Sequence, residues 1–213
     1  MSFCKRFKGL YGITDSKLMP DDQTMLACVE AALKGGMAIL QYRDKGADHE
    51  KRFRQACLLK DLCRNYRATF IINDDISLAV ACAADGVHLG AEDDSVTDAR
   101  AQLGSDAIIG ASCYGSLSRA LIMQSLGADY VAFGACFRSA AKPEAAVNVE
   151  PGLLTDACQS SDIPVVAIGG ITLDNAPGII AQGVNMVAVI SDLFCAGNIE
   201  VRACQYCQLF HPS

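Results

Sequence analysis

Gln41-Tyr42-Arg43-Asp44-Lys45 closes an apolar run, Met37-Ala38-Ile39-Leu40. In an extended strand alternate residues share a face, so Gln41, Arg43 and Lys45 point one way and Tyr42 and Asp44 the other. Two cations and an amide at the end of a buried strand are costly unless an anion meets them. Arginine offers a flat fork for phosphate oxygens and lysine a movable point charge. The chemistry suggested is a grip on phosphate or pyrophosphate. An ion-paired strand end facing solvent is the other reading of this stretch taken alone.

Other loops bear on the choice. Asp74 and Asp93 follow short apolar runs, and hard oxygen ligands that leave room for water and phosphate suit Mg²⁺. Their neighbours Asp75 and Asp94 read as helix caps or first-turn acids instead. Ile168-Gly169-Gly170-Ile171 leads into a predicted helix, where bare backbone N–H groups and the helix dipole favour an anion. Ile190-Ser191 ends the next apolar run.

These residues need a frame, and the pattern supplies one: a short apolar strand, a polar or glycine-containing loop, then a helix. Strands are predicted over 10–14, 37–42, 69–72, 86–89, 107–111, 130–133, 164–168 and 186–190. Helices are predicted from Asp21 or Asp22 to Lys34, from a cap at Asp48 to Tyr66, over 76–83, and from a cap at Ser95 to Leu103. Further helices run from Ser116 to Leu126, over 150–159, from Thr172 to Ala181, and over 191–209 with a loop allowed at Gly197. The strands lack clean alternation, as expected when both faces are buried in a parallel sheet. Phrases such as Leu126-Gly127-Ala128-Asp129-Tyr130 and Gln182-Gly183-Val184-Asn185-Met186 recur at the helix-to-strand turns. Eight strands in 213 residues, with no linker, predict one domain over 1–213 built as a single (β/α)8 TIM barrel. An open doubly wound sheet is the other architecture of this pattern, but no Gly-x-Gly-x-x-Gly follows strand one.

A barrel does its chemistry at the C-terminal strand ends. Those ends carry Gln41, Arg43 and Lys45; Asn73 and Asp74; Glu92 and Asp93; Ser112; Ser139 and Lys142; Gly169 and Gly170; and Ser191. Two anionic subsites result, one of cations and metal and one of backbone, with Tyr11 and Ser112 between them. His88 is read as a core histidine satisfied by its neighbours. No Ser–His–Asp arrangement and no His-rich zinc spacing is present.

Composition narrows the function class. Charged residues are 20% and apolar residues 51%, as in a folded globular chain. The net charge of -6, with no basic run, gives nucleic-acid binding no electrostatic support. No stretch approaches the roughly 20 apolar residues of a membrane span, and no signal peptide is visible, so the expected place is the cytoplasm. The eleven Cys read as free thiols, with a redox or zinc role as the other reading of the single Cys-x-x-Cys pair, Cys204 and Cys207.

Taken in order, Gln41-Tyr42-Arg43-Asp44-Lys45, Ile72-Asn73-Asp74, Gly86-Val87-His88-Leu89-Gly90-Ala91-Glu92-Asp93, Ile109-Gly110-Ala111-Ser112 and Ala167-Ile168-Gly169-Gly170-Ile171 make the chain resemble the thiamine-phosphate synthase family over nearly its whole length. The resemblance implies a transferase of thiamine biosynthesis that joins an aminopyrimidine diphosphate to a thiazole phosphate, with loss of pyrophosphate through a pyrimidine-methyl cation. It further implies that Gln41, Arg43, Lys45 and Asn73 bind the pyrimidine diphosphate and that Asp74 and Asp93 hold Mg²⁺. Ser112 would contact the reacting group, and Ser139 and Lys142 would sit on a closing loop. Gly170, with Gly169, Ile190 and Ser191, would take the thiazole phosphate. The catalytic set so implied is Arg43, Lys45, Ser112 and Lys142. Small-molecule substrates are the expected partners, with no nucleic acid and no membrane; monomer and homodimer both stand open. The loop over 134–142 departs from the family pattern: Arg138 replaces a proline and Ala141 a threonine, so one thiazole-phosphate contact is either missing or moved to Arg138. A thiazole tautomerase relative and a non-catalytic precursor-binding protein share the barrel. Retention of Arg43, Lys45, Asp74 and Asp93 argues against the former, and an assay for product separates the latter.

Overall fold

The structure, a computed structural model, describes residues 7–91, 95–138 and 149–211. Eight parallel strands close on themselves in sequence order, with β8 paired to β1. They are β1 (Gly9–Ile13), β2 (Ile39–Tyr42), β3 (Thr69–Asn73), β4 (Gly86–Leu89), β5 (Ile108–Tyr114), β6 (Tyr130–Phe133), β7 (Val165–Ile168) and β8 (Met186–Val189). The helices are α1 (Asp22–Lys34), α2 (His49–Tyr66), α3 (Ile76–Ala81), α4 (Val96–Leu103), α5 (Leu117–Ser125), α6 (Leu153–Ser160), α7 (Ala176–Ile180), α8 (Ser191–Phe194) and α9 (Ile199–Leu209). The expected (β/α)8 barrel is therefore the observed one, and no described helix is long and apolar enough to cross a membrane.

Seven of the eight strands feed the apolar barrel interior, while β4 puts Val87 and Leu89 into a smaller cluster with Ile109 and Ala111. Tyr11, Ile39, Ile71, Ile108 and Tyr130 fill the barrel interior together with Phe7. Leu10, Leu40, Phe70, Val131 and Val187, one residue out of phase, face the helices in the larger outer core. Burial on both faces explains why the strands read as unbroken apolar runs. Gly110 of β5 is required by the interior, because a Cβ there would collide with the Tyr130 ring. Helix starts follow local chemistry. Asp21, Asp48, Asp75, Ser95 and Ser116 each accept the N–H three residues on.

The recurring helix-to-strand phrases turn out to be clamps at the end of the barrel where the strands begin. Asp129 donates its N–H to Ile109 O (2.7 Å) and accepts the Ile109 N–H on its carboxylate (2.7 Å). Asp85 does the same with Phe70 (2.9 and 2.7 Å), and Asn185 with Val165 (2.9 and 2.8 Å). Arg100 Nη2 then pairs with Asp129 (2.7 Å) and Lys60 Nζ with Asp85 (2.5 Å).

Most strand and helix ends shift by a residue or a few, and two of the shifts bear on the site. β5 runs on to Tyr114 through a register shift between Ser112 and Tyr114, which carries Ser112 within the strand. The seventh helix starts at Ala176 rather than Thr172, because the Asn175 side chain accepts the Thr172 N–H (2.9 Å) and donates to Gly170 O (3.0 Å), holding a turn there. The Gly169-Gly170 turn thus lies away from the helix end, and the dipole argument for it falls. The final helical tail breaks around Gly197, where the sequence allows a loop, into α8 and α9, with the Asn198 side chain capping the second by accepting the Val201 N–H.

Candidate active site

The C-terminal strand ends surround one cavity of about 1200 Å³. Its wall at β2 is built on main-chain bonds. Thr14 donates its N–H to Gln41 O (3.0 Å), and its Oγ1 accepts the Arg43 N–H (2.8 Å). The alternation expected from the sequence holds. Gln41, Arg43 and Lys45 line the cavity, while Tyr42 turns outward to donate to Gln55 (2.9 Å) and Asp44 accepts from Lys51 (3.0 Å). No carboxylate among the described residues pairs with the Arg43 guanidinium, so this cation is available to a ligand. Lys45, 65% exposed, lies 3.4 Å from Asp74.

Asn73 and Asp74 reach the cavity from β3. Asp74 has φ +64, the left-handed region that L side chains rarely adopt, and its N–H is held by His88 O (2.9 Å). Its neighbour Asp75 is the α3 cap and pairs with Arg52 (2.7 Å), the structural role expected for it. Asp93, Ser139 and Lys142 lie outside the described residues, as do Asp94 and Ala141.

The opposite wall is backbone. Gly169 (φ +99) and Gly170 (φ +65) are both left-handed, and a Cβ on either would run into residues 135–138. Cys136 and Phe137 donate their N–H groups to Ile168 O (2.9 Å) and Gly169 O (3.0 Å), tying the β6 loop to this turn. Ile190 and Ser191 close the wall at β8. The nearby Asp192 is occupied by Arg202 (2.8 Å) and Tyr206 (2.6 Å). Arg138, which departs from the expected loop, is exposed and also lines the cavity.

Between the walls, where the sequence placed Tyr11 and Ser112, lies a polar floor whose links and whose Tyr130 the sequence did not reveal. Gln41 Nε2 donates to Tyr11 OH (2.8 Å), Tyr11 OH meets Tyr130 OH (2.8 Å), Tyr130 OH meets His88 Nδ1 (2.9 Å), and His88 Nε2 meets Ser112 Oγ (2.9 Å). His88 is indeed satisfied by its neighbours, yet it also borders the cavity, as Tyr11 and Ser112 do. Tyr130 lies beneath it with no exposure. Burial raises the pKa of both phenols far above the usual range, so both keep their protons. Tyr130 carries no sequence signal, since a tyrosine inside an apolar strand reads as core. Arg119 of α5 was missed too; it donates from Nε to Ser112 O (2.8 Å) and from Nη2 to Gly90 O (3.3 Å). The ten described cysteines are free thiols, and Cys207 Sγ donates to Gly36 O (3.1 Å).

The cavity can therefore hold a doubly phosphorylated ligand set: a cationic grip on one side, a backbone grip on the other, and a polar floor for a heterocycle. Comparison with known proteins points the same way. The family model for thiamine monophosphate synthase matches residues 10–193. The thiamine-phosphate synthase of Methylobacillus flagellatus is 50% identical over 204 residues, 96% of each chain. That of Azoarcus sp. is 50% identical over 206 residues, 97% of this chain and 98% of its own. The structure of thiamine phosphate pyrophosphorylase from Pyrococcus furiosus superposes with a TM-score of 0.86 at 35% identity, covering 98% of both chains. The chain belongs to the thiamine monophosphate synthase family.

Proposed function

We propose that the chain condenses 4-amino-2-methyl-5-(diphosphooxymethyl)pyrimidine with 4-methyl-5-(2-phosphoethyl)thiazole, giving thiamine phosphate and pyrophosphate. One observation carries this reading: a single rim presents Arg43 and Lys45 on one side of the cavity and the Gly169-Gly170 turn with Ser191 on the other. That is the arrangement two anionic substrates need if their heterocycles are to meet between the grips.

The bond from the pyrimidine methylene carbon to oxygen breaks, and its electron pair leaves on pyrophosphate. The thiazole nitrogen lone pair then closes on the carbon. Such a departure needs charge neutralised on the leaving group more than it needs a base. Arg43 supplies a fork and Lys45 a point charge, and the family resemblance gives Lys142 a part in gripping the same pyrophosphate. Lys45 neutralises Asp74 in the ligand-free chain, and the pair is open enough for Lys45 to turn to a diphosphate. Gln41, Asn73 and Ser112 orient the ring, while Gly170, Ile190 and Ser191 hold the second phosphate, a task in which the family resemblance includes Ser139. Water must be kept out, because it would capture the same cation.

Asp74 suits a magnesium ion: a hard oxygen donor bordering a cavity, beside the cation that would grip a phosphate. Asp74 with Asp93 would hold Mg²⁺, which when bound offsets charge on the diphosphate.

The test mixes the chain with both phosphorylated precursors and Mg²⁺ and follows thiamine phosphate and pyrophosphate, expected in equal amounts. Chelation of the metal should stop both, and added Mg²⁺ should restore them. Binding of both precursors without product would turn the reading into that of a precursor-binding protein.

A further inference from the structure

The polar floor is a chain of groups with few protons, and counting them fixes its direction. Tyr11 OH accepts from Gln41 Nε2. Its own proton then has a single acceptor in reach among the described residues, Tyr130 Oη. The Tyr130 proton must pass on to His88 Nδ1, the other partner of that phenol. His88 Nδ1 is therefore bare, and its ring proton sits on Nε2 and is donated to Ser112 Oγ. Reversing the order leaves the Tyr11 proton without an acceptor in a site only 1% exposed, and an unmade bond is costly there.

We propose that Gln41, Tyr11, Tyr130, His88 and Ser112 form a one-way hydrogen-bond relay that locks His88 as its Nε2–H tautomer and leaves Ser112 as a hydrogen-bond donor into the cavity. Tyr130 is a positioning residue: it is buried, does not border the cavity and acts through His88. The Gln41 amide sets the direction, since its N–H end faces Tyr11. The Tyr130 ring is itself fixed from below by Phe7 (centroids 5.7 Å) and lies stacked on His88 (5.5 Å), so the relay is stiff.

The relay specifies what Ser112 can read. With one of its two lone pairs taken by His88, the Ser112 hydroxyl keeps its proton for the ligand, and an acceptor there, such as an unprotonated ring nitrogen, matches it. That statement about the ligand rests on the function proposed above. The relay itself does not, and its test uses the ligand-free chain, so each can fail alone.

The measurement is ¹⁵N NMR of the histidine-labelled chain. Only three histidines occur, His49, His88 and His211, so His88 can be assigned by its loss in His88→Asn. The expected result is a bare Nδ1 and a protonated Nε2 in the native chain; a proton on Nδ1 overturns the proposal without any variant. Gln41→Glu should reverse the relay, because a carboxylate accepts from Tyr11 and every later proton turns round. Nδ1 then gains a proton. An Nδ1 that stays bare in folded Gln41→Glu also overturns it. Tyr130→Phe should release the lock and give a mixture of both tautomers; retention of the single native tautomer counts against the relay.

Discussion

Arg43→Met should disable the enzyme while leaving the fold intact. The Arg43 backbone is held by Thr14 through its N–H (2.8 Å), so the main-chain path does not depend on the side chain. Among the described residues the guanidinium pairs with no carboxylate, and its removal leaves no buried charge unpaired. Stability should therefore stay within about 0.5 kcal/mol, the usual range for a substitution that breaks no specific contact. Catalysis differs. A fork that places two charge-assisted bonds on the departing diphosphate contributes about 1.5 kcal/mol or more per bond. Losing ~3 kcal/mol in the transition state lowers kcat/KM roughly 10²-fold. Arg43→Lys should fall between, because the charge remains and the paired geometry is lost. Pyrophosphate release under steady state, with a thermal melt of each variant, gives both numbers. A loss below about threefold, or a large drop in melting temperature, would refute the reasoning and make Arg43 structural.

Three further outcomes follow from other parts of the molecule. Asp129→Ala strips the Ile109 N–H and Arg100 of a partner at the far end of the barrel, so we expect a loss of about 2–3 kcal/mol and a melting temperature lower by about 5–10 °C, with kcat unchanged at 25 °C; an activity loss in a stable variant would contradict it. Gly170→Ala must hold a left-handed backbone, at about 1–2 kcal/mol, with its Cβ 2.7 Å from Arg138 O, so KM for the thiazole phosphate should rise at least tenfold and that for the pyrimidine far less; equal KM values would detach this turn from phosphate binding. Burial pushes the Cys63 and Cys113 thiols from 9.0 up to about 12. They stay protonated in the folded chain while unfolded thiols ionise, so their stabilisation is complete below about pH 9 and is lost as pH rises toward 12, at about 1.4 kcal/mol per pH unit for each thiol. Urea midpoints from pH 8 to 11 should fall, and less steeply in Cys63→Ala; a flat profile would mean the thiols are hydrated.

What could be read from the sequence was what local chemistry decides. Asp21, Asp48, Ser95 and Ser116 announced helix starts because each carries an oxygen the right distance before an orphan N–H. Strand ends announced the rim, because Arg43, Lys45 and Asp74 break apolar runs where nothing but a ligand or an ion pair accounts for them. The rest depended on contacts between distant residues. Thr172 looked like a cap, but Asn175 binds its N–H and delays the helix. β5 looked shorter because Ser112 and Tyr114 are polar, and only pairing with β6 shows that they belong to it. Tyr130 looked like filling, since what marks it is a partner 42 residues away at His88 and one 119 residues away at Tyr11.

Phe7, Tyr130 and the isoleucines packed below the rim make the barrel a dead end. Gln41 and His88, at the back, are 3% and 9% exposed, whereas Lys45 in the doorway is 65% exposed. A heterocycle seated against Gln41 and His88 therefore lies deep below the rim, and its route to solvent passes Lys45.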